Sequence, residues 1–206
     1  MKDLIVFGAG GHAKVVIDIV EKQGSYRIIG ILDDDERLWQ KLVFGYQVLG
    51  GRDHRVSSDC EIIVALGSNQ ARLEVAREYR SRGVPLASAV HPSVQLGRGA
   101  VLGSGTVMMA LSAVNSDSLI GDDVIINTAA TVDHDCTVGD GVHIAPGAHL
   151  CGGVVVEKGA LIGAGSTVLP NMKIGQYAVV GGGACVASHV PAKATVVGVP
   201  ARPFDK

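Results

Sequence analysis

The segment that decides the fold reads VNSDSLIGDDVIINTAATVDHDCTVGDGVHIAPGAHL and spans residues 114–150. Every sixth residue in it is aliphatic: Val114, Ile120, Ile126, Val132, Val138, Ile144 and Leu150. The spacing continues in both directions without a slip, since every sixth position from Val90 to Val186 holds an aliphatic residue or methionine. Glycine often follows this position, and the residue two places before it is usually small or β-branched.

A repeat of six residues matches neither the 3.6-residue period of a helix nor the two-residue period of a half-buried strand. It is the period of a solenoid, in which three hexads form one triangular coil. We therefore predict an all-β left-handed parallel β-helix over residues 89–190, with the aliphatic residues inside and residues 191–206 folding back on it as a tail. The alternative is a β-sandwich with fortuitous spacing.

Residues 1–88 show a different pattern, in which short apolar runs alternate with helical periodicity. The pattern predicts strands over residues 4–7, 27–32 and 61–66, and helices over residues 12–23 and 70–81. This order is that of an α/β half-Rossmann domain, because it provides half of a doubly wound sheet. Three strands offer room for one nucleotide and not for a dinucleotide such as NAD.

A glycine-rich motif, GAGGHA at residues 8–13, follows the first predicted strand and opens the first predicted helix. In that context Gly10 and Gly11 allow the backbone to approach a phosphate, and the helix N-terminus favours an anion. Asp33 ends the second predicted strand, where an acidic residue usually binds a ribose hydroxyl. The motif therefore indicates a site for a nucleotide-linked substrate, unless the glycines only permit close packing of helix and strand.

His134 lies two residues after an inward-facing valine, which places it near a corner or on the outside of the coil. Its neighbours one coil away, 18 residues before and after it, are the small residues Ser116 and Gly152. Either flanking carboxylate, Asp133 or Asp135, could hold the imidazole tautomer and raise its basicity. The alternative is a solvated surface histidine without a function.

His143 lies half a coil away from His134, so the two imidazoles cannot converge within one copy of the chain. A zinc site needs several ligands about 2 Å from the metal, and such a set would require a neighbouring chain. We therefore predict no metal site. If both histidines belong to one active site, that site lies between two copies.

Composition excludes several classes of function. The net charge is −2 and no block of lysine or arginine is present, which argues against a nucleic-acid partner. We see no signal peptide and no apolar run long enough for a transmembrane helix. The four cysteines form no CxxC pair and indicate reduced thiols in a cytoplasmic protein.

These features together resemble the sugar O- and N-acyltransferase family of the sialic-acid and bacillosamine pathways, and most of all its bacterial UDP-4-amino-sugar N-acetyltransferases. The resemblance covers nearly the whole chain. It rests on the motifs GAGGH (8–12), LDD (32–34), LGSN (66–69), NT (127–128), HDC (134–136), CGG (151–153), VLPN (168–171), GGG (181–183) and GVPA (198–201), together with His143.

The resemblance implies a role for each group of residues. His134 is implied to be the general base on the sugar amine, with Asp135 tuning it. Four residues are implied to lie along the co-substrate acetyl-CoA: His143, Gly152, Ala164 and Gly182. Seven are implied to surround the nucleotide sugar: Gly10, Gly11, His12, Asp33, Asp34, Gly67 and Asn127. Arg202 in the tail could meet a CoA phosphate or only be a solvated end.

We therefore expect an acetyl-CoA-dependent N-acetyltransferase that acts on the amino group of a nucleotide-linked 4-amino sugar for bacterial glycan biosynthesis. Left-handed β-helices of this kind commonly form homotrimers, so active sites between subunits are expected. O-acetylation of a sialic acid or another sugar is the runner-up. A zinc-dependent hydratase of the hexapeptide-repeat type and a non-catalytic sugar-nucleotide binding module are the remaining alternatives.

Overall fold

The computed structural model describes residues 1–57 and 59–204, and the chain divides into two compact units, Met1–Pro92 and Ser93–Lys206. The first unit contains β1 (Lys2–Phe7), α1 (Gly11–Gln23), β2 (Tyr26–Leu32), a short 3₁₀ helix (Glu36–Leu38), β3 (Leu42–Val43), β4 (Tyr46–Gly50), β5 (Cys60–Val64), α2 (Asn69–Ser81) and β6 (Ala89–Val90).

The sheet of the first unit has five strands in the order β3-β4-β2-β1-β5. Strand β1 pairs in parallel with β2 and β5, β2 pairs in parallel with β4, and β3 pairs with β4 in an antiparallel hairpin. The three predicted strands and both predicted helices are present, but the expectation of a three-stranded sheet was wrong. The pattern missed β4 because only Val48 and Gly50 of its five residues are buried.

Each helix of this unit covers the sheet with one apolar face. Helix α1 buries Ala13, Val16, Ile17 and Val20, which recur at the spacing of a single helix face, and it ends at Gly24 in the left-handed conformation. Ser68 caps α2 by accepting a hydrogen bond from a backbone N–H of the first turn. The core between α2 and the sheet includes an edge-to-face contact between the rings of Phe7 and Tyr79.

The second unit is a parallel β-solenoid whose strands recur every six residues on three faces. Face 1 contains β7 (Gln95–Leu96), β10 (Ala113–Val114), β13 (Thr131–Val132), β16 (His149–Leu150), β19 (Thr167–Val168) and β22 (Cys185–Val186). Face 2 contains β8 (Val101–Leu102), β11 (Leu119–Ile120), β14 (Thr137–Val138), β17 (Val155–Val156) and β20 (Lys173–Ile174). Face 3 contains β9 (Val107–Met108), β12 (Ile125–Ile126), β15 (His143–Ile144), β18 (Leu161–Ile162), β21 (Val179–Val180), β23 (Thr195–Val197) and β24 (Arg202–Pro203).

The register of the solenoid follows the hexad arithmetic. Each strand pairs in parallel with the strand 18 residues further on, as Val132 does with Leu150. The predicted aliphatic positions are buried from Met108 to Val186, whereas Leu96 is 49% exposed because β7 is the end strand of face 1. The predicted hexapeptide solenoid is confirmed, and the left-handed sense of its coil stays a prediction.

A residue in the left-handed backbone conformation occupies every turn between faces, at each sixth position from Gly99 to Gly183. Several of these residues are not glycine, including Asp117, Asp135 and Asn171. Aspartate and asparagine tolerate this conformation better than most residues do. The regular turns therefore fix the backbone on both sides of each exposed turn side chain.

At the C-terminal end, β23 continues face 3 in parallel with β21, so solenoid strands extend to Val197. The chain then reverses over residues 198–201, and β24 pairs with β23 in the antiparallel direction.

None of the helices in the described ranges is both long enough and apolar enough to span a membrane.

Candidate functional site

His134 lies on the turn that leads from β13 on face 1 to β14 on face 2, and its side chain is 61% exposed. Its Nδ1 is 2.7 Å from Oδ2 of Asp135, which is the left-handed residue of the same turn. Because an ionised carboxylate can only accept, Nδ1 carries the proton and Nε2 keeps its lone pair when the ring is neutral. The imidazole thus presents a basic nitrogen outside the coil.

The two flanking carboxylates have different partners. Asp133 Oδ1 accepts from the backbone N–H of His134 and from Nδ2 of Asn115, both at 2.8 Å. Asp135 alone bonds to the ring, so it is Asp135 that orients the imidazole, while Asp133 fixes the backbone. Sequence reasoning missed Asn115, although its offset of 18 residues from Asp133 identifies it as a neighbour in the next coil.

Electrostatics at this turn favour a charged imidazole. The hydrogen bond to Asp135 raises the pKa of His134, and the negative charge of Asp133 adds to the effect. The hydrogen bond from Asn115 lowers the pKa of Asp133 and so keeps that carboxylate ionised. A proton accepted by Nε2 is therefore stabilised by both neighbours.

Gly152 lies one coil beyond His134, as the register predicts. A Cβ on Gly152 would be 2.7 Å from both Cε1 and Nε2 of the imidazole, a distance that side chains do not tolerate. Its carbonyl accepts from the N–H of Asn171, whereas its own N–H has no protein acceptor in the described parts of the chain. The absence of a side chain thus leaves space beside the basic nitrogen, and Gly152 also keeps a free N–H donor.

A second group of predicted residues lies at the other end of face 1. Asn127 Oδ1 accepts from Thr128 N at 2.8 Å, so its Nδ2 donates to His143 Nε2 at 3.0 Å. Ala164 and Gly182 are exposed, and they lie in successive coils on the turns that lead from face 3 to face 1. The structure therefore brings Asn127 and His143 together but places both on the other side of face 1 from the His134 turn.

The glycines of the first unit fall into two kinds. Gly8 has a φ of +114°, and a Cβ there would be 2.8 Å from the carbonyl oxygen of Ala65, so its glycine is required by packing. Gly10, Gly11 and Gly67 have no atom within 4 Å of such a Cβ and no left-handed φ. Packing alone therefore does not explain these three glycines, whereas a ligand close to the backbone would.

His12, the second residue of α1, has a buried Nε2 with no hydrogen-bond partner in the described parts of the chain. Burial, together with the positive charge of Arg72, lowers the pKa of His12 to about 4. The ring is therefore neutral near pH 7 and has a free polar atom beside the glycine loop. Burying such an atom without a partner is costly, which is consistent with a partner supplied by a ligand.

Arg72 is a buried neighbour of the predicted nucleotide site that sequence reasoning missed. It is completely buried and donates to the carbonyl of Leu66 and to Oδ1 of Asn69, both at 2.9 Å, on either side of Gly67. Helical spacing could have revealed it, because Arg72 lies three residues before Val75 and therefore on the same buried face of α2. An arginine at a core position indicates a structural or binding role.

The two predicted acidic residues of the nucleotide site already have partners. Asp33 accepts from the backbone N–H groups of Ala9 and Asp35, both at 2.8 Å. Asp34 forms an ion pair with Arg52 at 2.5 Å, and the hydrogen bond from Arg52 lowers the pKa of Asp34. The prediction that these carboxylates contact the nucleotide sugar remains a prediction.

The four cysteines are free thiols, and Cys136 is buried inside the solenoid, two residues before the inward-facing Val138. The described residues bring together no group of three or more histidine, cysteine, aspartate or glutamate side chains that could hold a metal ion.

Comparison with protein families identifies both units. The PglD N-terminal domain matches residues 3–79, and the bacterial transferase hexapeptide repeat matches residues 117–152. The solenoid carries an exposed histidine–carboxylate pair and follows a PglD-type domain. These features define the class of hexapeptide-repeat acyltransferases.

Solved structures define the family within this class. The acetyltransferase domain of PglB from Neisseria gonorrhoeae FA1090 is 36% identical, with a TM-score of 0.92 over 99% of this chain and 100% of that chain. PerB from Caulobacter crescentus, solved in complex with CoA and GDP-perosamine, is 36% identical, with a TM-score of 0.91 over 100% and 98%. The chain belongs to this family of nucleotide-sugar N-acetyltransferases.

A curated relative agrees with this assignment. UDP-N-acetylbacillosamine N-acetyltransferase from Bacillus subtilis (strain 168) is 32% identical over 122 residues, which cover 53% of this chain. The chain spans about half the length of that relative, since the match covers 52% of it.

Proposed function

We propose that this protein transfers the acetyl group of acetyl-CoA to the amino group of a nucleotide-linked 4-amino sugar. The observation that carries the proposal is the His134 turn, where Asp135 orients the imidazole and Gly152 leaves space and a free N–H beside it. The family comparisons support the choice of substrates, because relatives have been solved with acetyl coenzyme A and with CoA and GDP-perosamine.

In this mechanism the sugar amine attacks the thioester carbonyl carbon and forms the new C–N bond. Nε2 of His134 accepts the proton that the amine loses, and Asp135 stabilises the resulting imidazolium. We assign to the N–H of Gly152 the hydrogen bond to the oxyanion of the tetrahedral intermediate. The C–S bond then breaks, and CoA leaves as the thiol after taking up a proton. No covalent enzyme intermediate is required.

The nucleotide sugar would bind the first unit, where open Gly10 and Gly11 and neutral His12 lie after β1 and open Gly67 lies after β5. We assign acetyl-CoA to the second unit, along His143, Ala164 and Gly182 at one end of face 1. These roles rest on the resemblance of the motifs and on the exposure of the backbone at those turns.

The separation of the two groups in the solenoid supports a homotrimer with active sites between subunits. The His134 turn of one copy would meet the Asn127–His143 group of the next, because face 1 keeps them apart within one copy. Face 2, which follows the His134 turn, carries the exposed aliphatic residues Val101 and Leu119, at 55% and 52% exposure. Such side chains favour contact between copies. We place the enzyme in the cytoplasm, as the sequence predicts.

The test is release of CoA thiol from acetyl-CoA in the presence of UDP-, GDP- and dTDP-linked 4-amino sugars, with mass spectrometry of the product. We expect turnover with at least one of them and a loss of about 10²–10⁴-fold in His134→Ala. His189→Asn is the matched control, because asparagine can still accept the hydrogen bond from the Lys173 N–H. Normal turnover in His134→Ala, or acetylation of a hydroxyl instead of the amine, would contradict the proposal.

A further inference from the structure

The loop after β2 is tied to the glycine loop after β1 through one side chain. Asp33 Oδ2 accepts from the N–H of Ala9 in the glycine loop, and Oδ1 accepts from the N–H of Asp35, both at 2.8 Å. The two bonded residues are 24 positions apart in sequence, and the carboxylate adds a side-chain bridge to the bond from the N–H of Gly8 to the carbonyl of Leu32 at the strand ends, at 2.7 Å. Beyond Gly8, the side chain of Asp33 therefore holds the backbone of the glycine loop at Ala9.

The backbone of Asp33 fixes a second element. Its carbonyl accepts from Nε1 of Trp39 at 2.8 Å, and Trp39 is the only tryptophan of the chain. Trp39 lines a cavity of about 400 Å³, together with the Gly50–His54 segment and Asp34. We call this cavity the Trp39 pocket. Trp39 is 39% exposed, so part of this aromatic residue remains available to a planar ligand.

Both parts lie where a parallel sheet binds ligands. The glycine loop follows the carboxyl end of β1, and the Trp39 pocket lies beside the carboxyl ends of β2 and β4. In open α/β sheets nucleotides bind outside these strand ends, with the phosphates at the loop after the first strand. A nucleotide that spans the two parts requires them to be held at a fixed distance.

We propose that Asp33 is a positioning residue of the nucleotide site, which holds the glycine loop and the Trp39 pocket in register and does not bind the ribose. The inference rests on the proposed nucleotide-sugar function. It departs from the usual role of an acidic residue at this place, which is to accept from ribose hydroxyls. Its support is that each carboxylate oxygen already accepts from a backbone N–H.

The experiment compares Asp33→Asn and Asp33→Ala with the wild type. In Asp33→Asn the amide NH₂ would face one of the two backbone N–H donors, and in Asp33→Ala both acceptors are lost. We expect the KM for the nucleotide sugar to rise about 10- to 100-fold, the usual effect of losing a hydrogen bond to a charged group. We expect kcat and the KM for acetyl-CoA to stay within about 3-fold of the wild type, because the His134 turn is not altered.

The matched control is Asp35→Asn. Asp35 is also an acidic residue of this loop, but its carboxylate accepts from the Arg37 backbone and side chain and does not contact the glycine loop. This variant should keep the wild-type KM. Emission of Trp39 gives an independent reading, since weakening of its bond to the Asp33 carbonyl should shift the spectrum in Asp33→Asn but not in the control.

The ribose role is tested with a 2′-deoxyribonucleotide sugar. If Asp33 binds the ribose, the wild type discriminates against the deoxy substrate and Asp33→Asn loses that discrimination. If Asp33 is a positioning residue, the ratio of the two kcat/KM values is the same in both proteins. Loss of discrimination in the variant, or a wild-type KM in Asp33→Asn, overturns the inference.

Failure of the proposed function can be separated from failure of this inference. Titration of UDP, GDP and dTDP against Trp39 emission measures nucleotide binding without turnover. If no sugar is acetylated but a nucleotide binds and Asp33→Asn weakens that binding about 10-fold or more, only the reaction is wrong. If none of the three nucleotides binds the wild type, the positioning role is wrong as well.

Discussion

Gly152→Ala should inactivate the enzyme without unfolding it. The added Cβ would be 2.7 Å from Cε1 and Nε2 of His134, and ordinary contact begins at 3.4 Å, so the ring must retreat by about 0.7 Å. The ring is held by the Nδ1 contact of 2.7 Å to Asp135, and the same displacement would stretch that contact to about 3.4 Å. Alanine therefore disrupts the orientation of the general base, and kcat should fall about 10²–10⁴-fold, as in His134→Ala.

Stability should not change in the same direction. Gly152 has no left-handed φ, and the His134 side chain is 61% exposed, so the ring can rotate into solvent. Replacing glycine by alanine at a compatible position stabilises a protein by about 0.4–1 kcal/mol through the unfolded state. The melting temperature of Gly152→Ala should therefore equal or slightly exceed that of the wild type.

The assay is thiol release at saturating acetyl-CoA, combined with thermal unfolding. The control is the double variant His134→Ala/Gly152→Ala, which should be no slower than His134→Ala, because alanine retains the backbone N–H and there is no ring left to displace. Near-normal turnover in Gly152→Ala would refute the reasoning. A double variant far slower than His134→Ala would show that Gly152 acts independently of the histidine.

Three further predictions concern pH and the glycine loop. Asp135→Asn should move the acidic limb of the pH profile of kcat/KM to lower pH. The reason is that His134 must be neutral to act as the base, and the carboxylate of Asp135 raises its pKa. An unmoved limb would contradict the pairing of His134 with Asp135. Gly10→Ala should raise the KM for the nucleotide sugar at unchanged melting temperature. Gly8→Ala should lower the melting temperature, because Gly8 has a φ of +114° and an added Cβ would clash with the carbonyl oxygen of Ala65. The pKa of His12 falls from 6.5 to about 4 on folding, so between these pH values the unfolded state binds more protons than the folded state. The free energy of unfolding should therefore decrease by up to about 3 kcal/mol as the pH falls from 6.5 to 4. Urea titrations of His12→Asn should show a smaller decrease; an equal one would mean that other groups cause it.

The solenoid was predictable because its register is arithmetic. Once an inward position is assigned, a residue 18 places away is a neighbour one coil further on, and this rule alone places Gly152 next to His134. The same rule would have found Asn115 next to Asp133. The left-handed turn residues were less predictable, since Asp135 shows no glycine signal although its φ is +58°.

The first unit lacks such a rule. The bond between Ala9 and Asp33 and the ion pair between Asp34 and Arg52 connect loops whose approach depends on several strand ends at once. Sequence position correctly places Asp33 at a strand end but does not tell whether its carboxylate is free for a ligand. The fold of this unit could be predicted in outline, whereas the state of its polar groups could not.

The solenoid also constrains catalysis. Its turns alternate with paired strands on all three faces, so the distance from the His134 turn to the Asn127–His143 pair is set by the width of face 1 and not by a mobile loop. Any substrate that must reach both groups cannot draw them together by closing one copy around itself. In the proposed homotrimer the two groups come from adjacent copies, so weakening the contact between copies should reduce turnover even where each chain remains folded.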